Sequence, residues 1–380
     1  MSLKVYGLSA VSEFLGDRIV YRNLDPVDAS LPGLAESARH ASLPPGVIPR
    51  KSQADYARVV VYLLETARRQ DIPKGQLKRL VFVGDTFLND STAFANLCQA
   101  GGWEGLAFIG ADRANEPAEA KITASPGGGQ LYLANRWQLL EHFDRHCAEH
   151  EFPIDEHTAV VVDLDKTALG ARGRNDQVID QARVLAVRRT VAGLLGVAFD
   201  TSAFQTAYDQ LKQMEFHPFT ADNQDYLAYI CLILGSGLYK LGAVVADVRA
   251  GRLASFHQFI ETVEAQQKKL SPGLAQVHSE IYANVRRGDP TPFKSFRRNE
   301  YLETVNRLGH LPGETPLQIL LEQEIVLTQE VRLQALQWKR RGALLFGLSD
   351  KPDEASLPTP EQAAQGYQAL HARLTHAVGA

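Results

Sequence analysis

Apolar and polar positions divide the chain into three stretches of different texture. Up to about residue 157, short apolar runs alternate with helical patterns. Leu80-Val81-Phe82-Val83 lies between Lys78-Arg79 and Gly84, and Leu106-Ala107-Phe108-Ile109 is closed by Gly110. Gln130-Leu131-Tyr132-Leu133 follows the turn residues Ser125-Pro126-Gly127-Gly128-Gly129. Helical periodicity covers Gln53–Arg69, Ser91–Ala100 and Arg136–His150. Strands alternating with helices predict a parallel sheet covered on both faces.

Thr158–Asp163 (Thr-Ala-Val-Val-Val-Asp) is the strongest strand signal. Beyond it, from about 177 to 341, the pattern predicts helices only. Ser271-Pro272 and Thr315-Pro316 read as capping hydroxyls before first-turn prolines, and Gly342 after Lys339-Arg340-Arg341 reads as a stop. A strand over Ala343–Ser349 returns the chain to the sheet. A last helix opens at the capping box Thr359-Pro360-Glu361-Gln362. The expected organisation is an α/β core over 1–170, an all-helical insert over 171–341 and a return to the core over 342–380.

Composition adds limits. The 380 residues are 45% hydrophobic and 22% charged, the profile of an ordinary globular protein with room for two or three domains. Forty Lys and Arg against 44 Asp and Glu leave a net charge of -4, so no global basic field draws the chain to nucleic acid. Trp103, Trp137 and Trp338 form no stacking pattern, and no Gly-rich nucleotide motif is present. The three cysteines, Cys98, Cys147 and Cys231, are far apart and odd in number, which predicts free thiols and a cytoplasmic setting. The start lacks a signal-peptide pattern. The most apolar stretch, Tyr226–Val248, is broken by Gly235-Ser236-Gly237, Lys240 and Asp247, so no membrane span is expected.

Candidate chemistry gathers at strand ends. Asp163-Leu164-Asp165-Lys166-Thr167 stands at the carboxyl end of the best strand, where open α/β sheets bind ligands. Two carboxylates two residues apart can share a divalent cation, or one can attack while the other handles protons. A solvated turn capped by Asp would read the same way. Gly84-Asp85 and Asp90 follow a second strand and add two hard oxygen donors, although Asp90-Ser91 also suits a helix cap. Four carboxylates at strand ends call for a metal to neutralise them.

These motifs resemble the haloacid dehalogenase superfamily of phosphohydrolases. Asp163-x-Asp165-x-Thr167 is similar to motif I of that family, and Gly84-Asp85 with Asp90 to motif IV. Leu345–Ser349 resembles motif II, and Lys51 stands where a motif III lysine belongs, with Lys351 as a rival. The motifs run III, IV, I, II along this chain rather than I to IV, so the resemblance implies a circularly permuted Rossmann-like core with a large helical cap. Surface termini permit such a permutation, and Lys4–Asp25 would continue the core from the C-terminal helix. Lys166 departs from the Gly or Asn that many members carry.

The resemblance implies Asp163 as nucleophile, Asp165 as general acid and base, Ser349 and Lys51 on the phosphoryl group, and Thr167 within the same loop. It implies Mg²⁺ held by Asp163, the Asp165 backbone carbonyl and Asp85, with Asp90 in support. Arg172 and Arg174 after motif I, and Lys351, are candidate contacts for a small phosphorylated metabolite. A phosphotransferase would use the same residues, and a non-catalytic scaffold with the same fold is the alternative from another class.

Two further clusters read as surface. His142, His146 and His150 share a helix face with Cys147 among Glu141, Asp144, Arg145 and Glu149, and a zinc site there is the weaker reading. Arg286-Arg287 and Lys294-Ser295-Phe296-Arg297-Arg298 read as a solvated loop and helix start that could alternatively hold an anion.

Overall fold

A computed structural model describes residues 3–44, 46–113, 115–125, 127–221 and 223–380. Pro126 of the expected glycine-rich turn lies outside them. The chain divides into two compact units, Met1–Gln181 with Thr304–Ala380, and Ala182–Glu303.

Among the described residues the first unit holds ten strands: β1 Lys4–Ser9, β2 Ile19–Val20, β3 Arg79–Gly84, β4 Glu104–Gly110, β5 Ala120–Ala124, β6 Gln130–Ala134, β7 Thr158–Asp163, β8 Leu327–Thr328, β9 Leu344–Leu348 and β10 Thr375–Gly379. Seven form one sheet in the order β2-β9-β7-β3-β4-β6-β5, parallel throughout except for the edge strand β5. Every residue of β7 and β9 is buried, as expected of central parallel strands whose apolar runs serve both faces.

Alternation along these strands sorts the two faces. Leu80, Phe82, Ala159, Val161, Leu344 and Phe346 pack with the helices Ala54–Asp71 and Phe87–Gly101. On the other face, Phe108 meets Trp137 and Phe143, and Phe143 meets Trp338 of the helix Gln329–Arg340. Trp338 donates its indole N–H to Asp144 at 2.7 Å, which satisfies its one polar atom.

Several expectations are corrected. The helix expected from Ser91 starts at Phe87, so Asp90 sits in its first turn rather than capping it. Pro316 is the N-cap of Leu317–Gln323 rather than its first helical residue. The segment from Thr304 onward belongs to the first unit, and it carries β8, a strand within a stretch expected to be wholly helical. The capping box of Thr359 and Gln362 forms, but its helix ends at Ala364. The chain then enters β10, which pairs antiparallel with β1 (Lys4 with Gly379) and parallel with β8. Lys4 and Gly379 are therefore neighbours.

In the second unit every described element is a helix. Its core is dense in aromatic residues: Tyr226 lies flat on Phe256 with centroids 3.8 Å apart, and Phe219, Tyr229 and Phe259 pack edge to face. The basic cluster is largely consumed inside the unit. Arg297 is buried against Asp225 and Glu300, Arg286 pairs with Glu261, and Lys294 pairs with Asp289. Among the described residues no helix is long and apolar enough to cross a membrane.

Candidate active site

The carboxyl ends of β9, β7 and β3 lie side by side, Leu348 pairing with Asp163 and Val83 with Val162. This adjacency places Ser349, Asp163 and Asp85 in one row at the sheet crest. β7 stops at Asp163, and the chain folds back on itself, with the Leu169 N–H bonded to the Leu164 carbonyl at 2.9 Å. Lys166 takes φ +64° in this loop, a left-handed conformation that suits Gly or Asn far better than Lys. Its ammonium is paired with Asp180 at 2.9 Å.

Asp90 organises the second loop. Its Oδ2 accepts the N–H groups of Asp85 (3.0 Å) and Thr86 (2.9 Å), and its Oδ1 accepts from Lys51 Nζ at 2.7 Å. Gly84 makes this possible, because a Cβ there would fall 2.5 Å from Asp90 Oδ2. Lys51 donates equally to Asp163 Oδ1, at 2.6 Å, and is buried between the two carboxylates. Burial alone would lower the Lys51 ammonium, but Asp163 and Asp90 hold it protonated well above its ordinary range.

Asp85 accepts from Arg172 Nε and, at 3.4 Å, from the buried Thr167 hydroxyl. Arg172 is held there by its own loop: its carbonyl takes the Asp112 N–H at 2.9 Å and the Trp137 indole N–H at 3.3 Å. Gly173 has φ +77°, and a Cβ on it would lie 2.0 Å from the Asp112 carbonyl oxygen, so only glycine lets the loop lie this close.

Asp85, Asp90 and Asp163 each offer an oxygen, the three within 4.8 Å of one another. Burial, followed by the Lys51 charge in opposition and the Asp90 and Asp85 charges in support, leaves Asp163 well above the usual carboxylate range. Burial and Asp90 likewise raise Asp85 against the pull of Arg172. Three carboxyl groups thus meet two cations, and their oxygens are hard donors of the kind a divalent cation takes.

The expected residues separate by placement. Asp163, Asp85, Asp90 and Lys51 converge, and Arg172 joins them. Thr167 is buried and turns its hydroxyl to Asp85. Lys351 is buried with its Nζ 3.6 Å from Asp165, so Lys51, not Lys351, is the lysine on Asp163. The Ser349 Oγ accepts the Lys351 N–H at 3.1 Å, which turns the chain just past β9.

Arg174 is a correction. Its guanidinium is buried, pairs with Asp112 at 2.7 Å and Glu330 at 2.8 Å, and donates to the Val378 carbonyl at 2.9 Å. Every side of it is spent on tying β10 and the Gln329–Arg340 helix to the core, and it is not a substrate contact. The histidine face forms no metal cluster among the described residues: His146 and His150 lie ring against ring, and the His150 Nδ1 bonds to the His146 carbonyl at 2.9 Å.

A feature not anticipated from the sequence is a cavity of about 570 Å³ that extends from Asp85 and Arg172 along the ends of β4, β6 and β5. Of the β5–β6 hairpin that walls it, β6 falls on the run expected over Gln130–Leu133, whereas β5 was not expected. Compared with protein-family profiles, with curated proteins and with solved structures, the chain matches none.

Proposed function

We propose that this protein is a Mg²⁺-dependent phosphomonoester hydrolase of the haloacid dehalogenase type, with a permuted chain order. The observation that carries the reading is Lys51 bonded at once to Asp163 and Asp90, three residues remote in sequence that meet at the ends of adjacent parallel strands. The Ser349 strand lying beside the Asp163 strand supports the permuted order.

Mg²⁺, held by Asp163 and Asp85 with Asp90 in support, would supply charge neutralisation for the incoming phosphate. The chain's own residues carry the steps. Asp163 Oδ1 is engaged by Lys51, so Oδ2 is the oxygen available to attack phosphorus. A bond forms from Oδ2 to phosphorus, the ester oxygen departs, and Asp165 gives that oxygen its proton. In the second step Asp165 takes a proton from water, the water oxygen bonds to phosphorus, and Asp163 is released with inorganic phosphate. Lys51 remains fixed on Asp163 and offers positive charge to the transferring group, while the Ser349 hydroxyl stands one residue beyond the strand position paired with Asp163.

Phosphate release from a panel of small phosphomonoesters, with and without Mg²⁺, tests this in wild type and Asp163→Asn. Metal-dependent turnover lost in the variant is expected. Turnover on no ester, together with no stabilisation of the fold by Mg²⁺, would overturn it in favour of a non-catalytic scaffold.

A further inference from the structure

The cavity beside Asp85 is larger than a phosphoryl group needs, and its walls have a distinct chemistry. Register relates Gly84 to Ile109, Ile109 to Leu133, and Leu133 to Lys121 across four neighbouring strands. At roughly 4.8 Å per strand, the row spans about 14 Å from the acidic cluster to the far wall. The volume of about 570 Å³ lies within the usual range for a small organic ligand.

Next to Asp85, Thr86 and Arg172, the lining turns apolar at Ile109 and Leu133, and Phe87, two residues past Asp85, is 56% exposed. An exposed phenylalanine beside a buried acidic site is a surface that a flat ligand would cover. At the far half, Arg113 and Lys121 are balanced by Glu116 and Glu119, with Arg113 and Glu116 already 3.8 Å apart. Balanced charge offers polar contacts but no net field for a second strong anion.

We infer that this cavity receives the leaving group of the phosphoester, and that the preferred class is the monophosphate of a planar, aromatic or heteroaromatic alcohol without further net charge. The inference rests on the hydrolase reading above and adds to it a core-side specificity surface, with Phe87 as the stacking residue. Bisphosphates and nucleoside polyphosphates are the classes it disfavours.

The test uses binding rather than turnover. Phenylphosphonate and methylphosphonate, neither of which can be hydrolysed, are titrated calorimetrically into the full chain with Mg²⁺ present. Phenylphosphonate is expected to bind about tenfold more tightly, from ring stacking and the apolar area it covers. In Phe87→Ala the margin should fall below about twofold with methylphosphonate binding unchanged, and the exposure of Phe87 means that the variant folds. 4-Carboxyphenylphosphonate should bind no more tightly than phenylphosphonate. Equal binding of the first two probes, a margin that survives Phe87→Ala, or a tenfold gain from the added carboxylate would overturn the cavity assignment and leave the hydrolase reading standing. Failure of both phosphonates to bind would remove the hydrolase reading and the cavity assignment with it.

Discussion

Replacing Gly84 by alanine is a small change with a large expected effect, and its size follows from the geometry of Asp90. Gly84 does not occupy a left-handed conformation, so its backbone accepts alanine without strain. The obstacle is steric: the new Cβ would lie 2.5 Å from Asp90 Oδ2, 2.7 Å from its Cγ and 2.9 Å from its Cβ. The carboxylate has to rotate away, and Oδ2 then gives up the N–H groups of Asp85 and Thr86. Hydrogen bonds to a charged acceptor contribute about 1.5–3 kcal/mol each. Partial resolvation and the stiffer unfolded chain return part of that, about 1 kcal/mol from the second source. A net loss of about 3 kcal/mol is expected, or roughly 6–12 °C in the melting of the first unit.

Thermal unfolding followed by calorimetry measures it, with two controls. Gly242→Ala, where nothing lies within 4 Å of the added methyl, should be neutral or stabilising by up to about 1 kcal/mol in its helix. In an Asp90→Gly background, Gly84→Ala should cost less than about 1 kcal/mol, because the group it strikes has been removed. Gly84→Ala melting within 1 °C of wild type, or costing the same with and without Asp90, would refute the role given to this contact.

Lys51→Met should leave Asp90 and Asp163 buried without their shared ammonium, destabilising the first unit by about 3–5 kcal/mol. Denaturant titrations should show millimolar Mg²⁺ restoring part of this, and phosphate release should fall at least about a hundredfold. Arg174→Met strands Asp112 and Glu330 in the same way and should cost about 3–5 kcal/mol, yet leave the KM for any ester within about twofold, which separates anchoring from substrate contact. Asp353 is pushed up to about 7, chiefly by burial. A carboxyl raised on folding binds its proton more tightly in the native state, so its contribution is present below about pH 4 and is lost as pH rises toward 7. Asp353→Asn should therefore match wild type near pH 3.5 and exceed it near pH 8 by about 1–2 kcal/mol, after allowance for the partial exposure of this side chain, as read from melting curves at the two pH values.

What the sequence makes legible here is what local pattern controls. Uninterrupted apolar runs ending in Gly or Asp are the signature of central parallel strands, so β3, β4 and β7 were expected where they occur, and with them the crest positions of Asp85 and Asp163. Ends whose structure depends on distant partners were not legible. Thr375-His376-Ala377-Val378-Gly379 is too short and too polar at its start to announce a strand, and it becomes one because β1 and β8 lie on either side. Arg172 and Arg174 are equivalent by composition and spacing. They part company because the backbone turns at Gly173, sending one guanidinium to Asp85 and the other to Glu330 and the Val378 carbonyl.

The same reasoning explains why chain order misleads at this site and strand adjacency does not. Lys51, Asp85, Asp90, Asp163 and Ser349 are spread over about 300 residues, with a helical unit of 122 residues, 182–303, between the last two. Their meeting depends only on β9, β7 and β3 being neighbours and on the helix after Lys51 packing against that part of the sheet. Each of those contacts is satisfied whether the chain is cut between β10 and β1 or joined there, because these two strands are already paired end to end. A short linker from residue 380 to residue 3, with new ends opened in an exposed loop, should therefore leave the Lys51–Asp163–Asp90 contacts and the melting temperature essentially in place. Loss of folding in such a rejoined chain would show that the break between β10 and β1 is itself required.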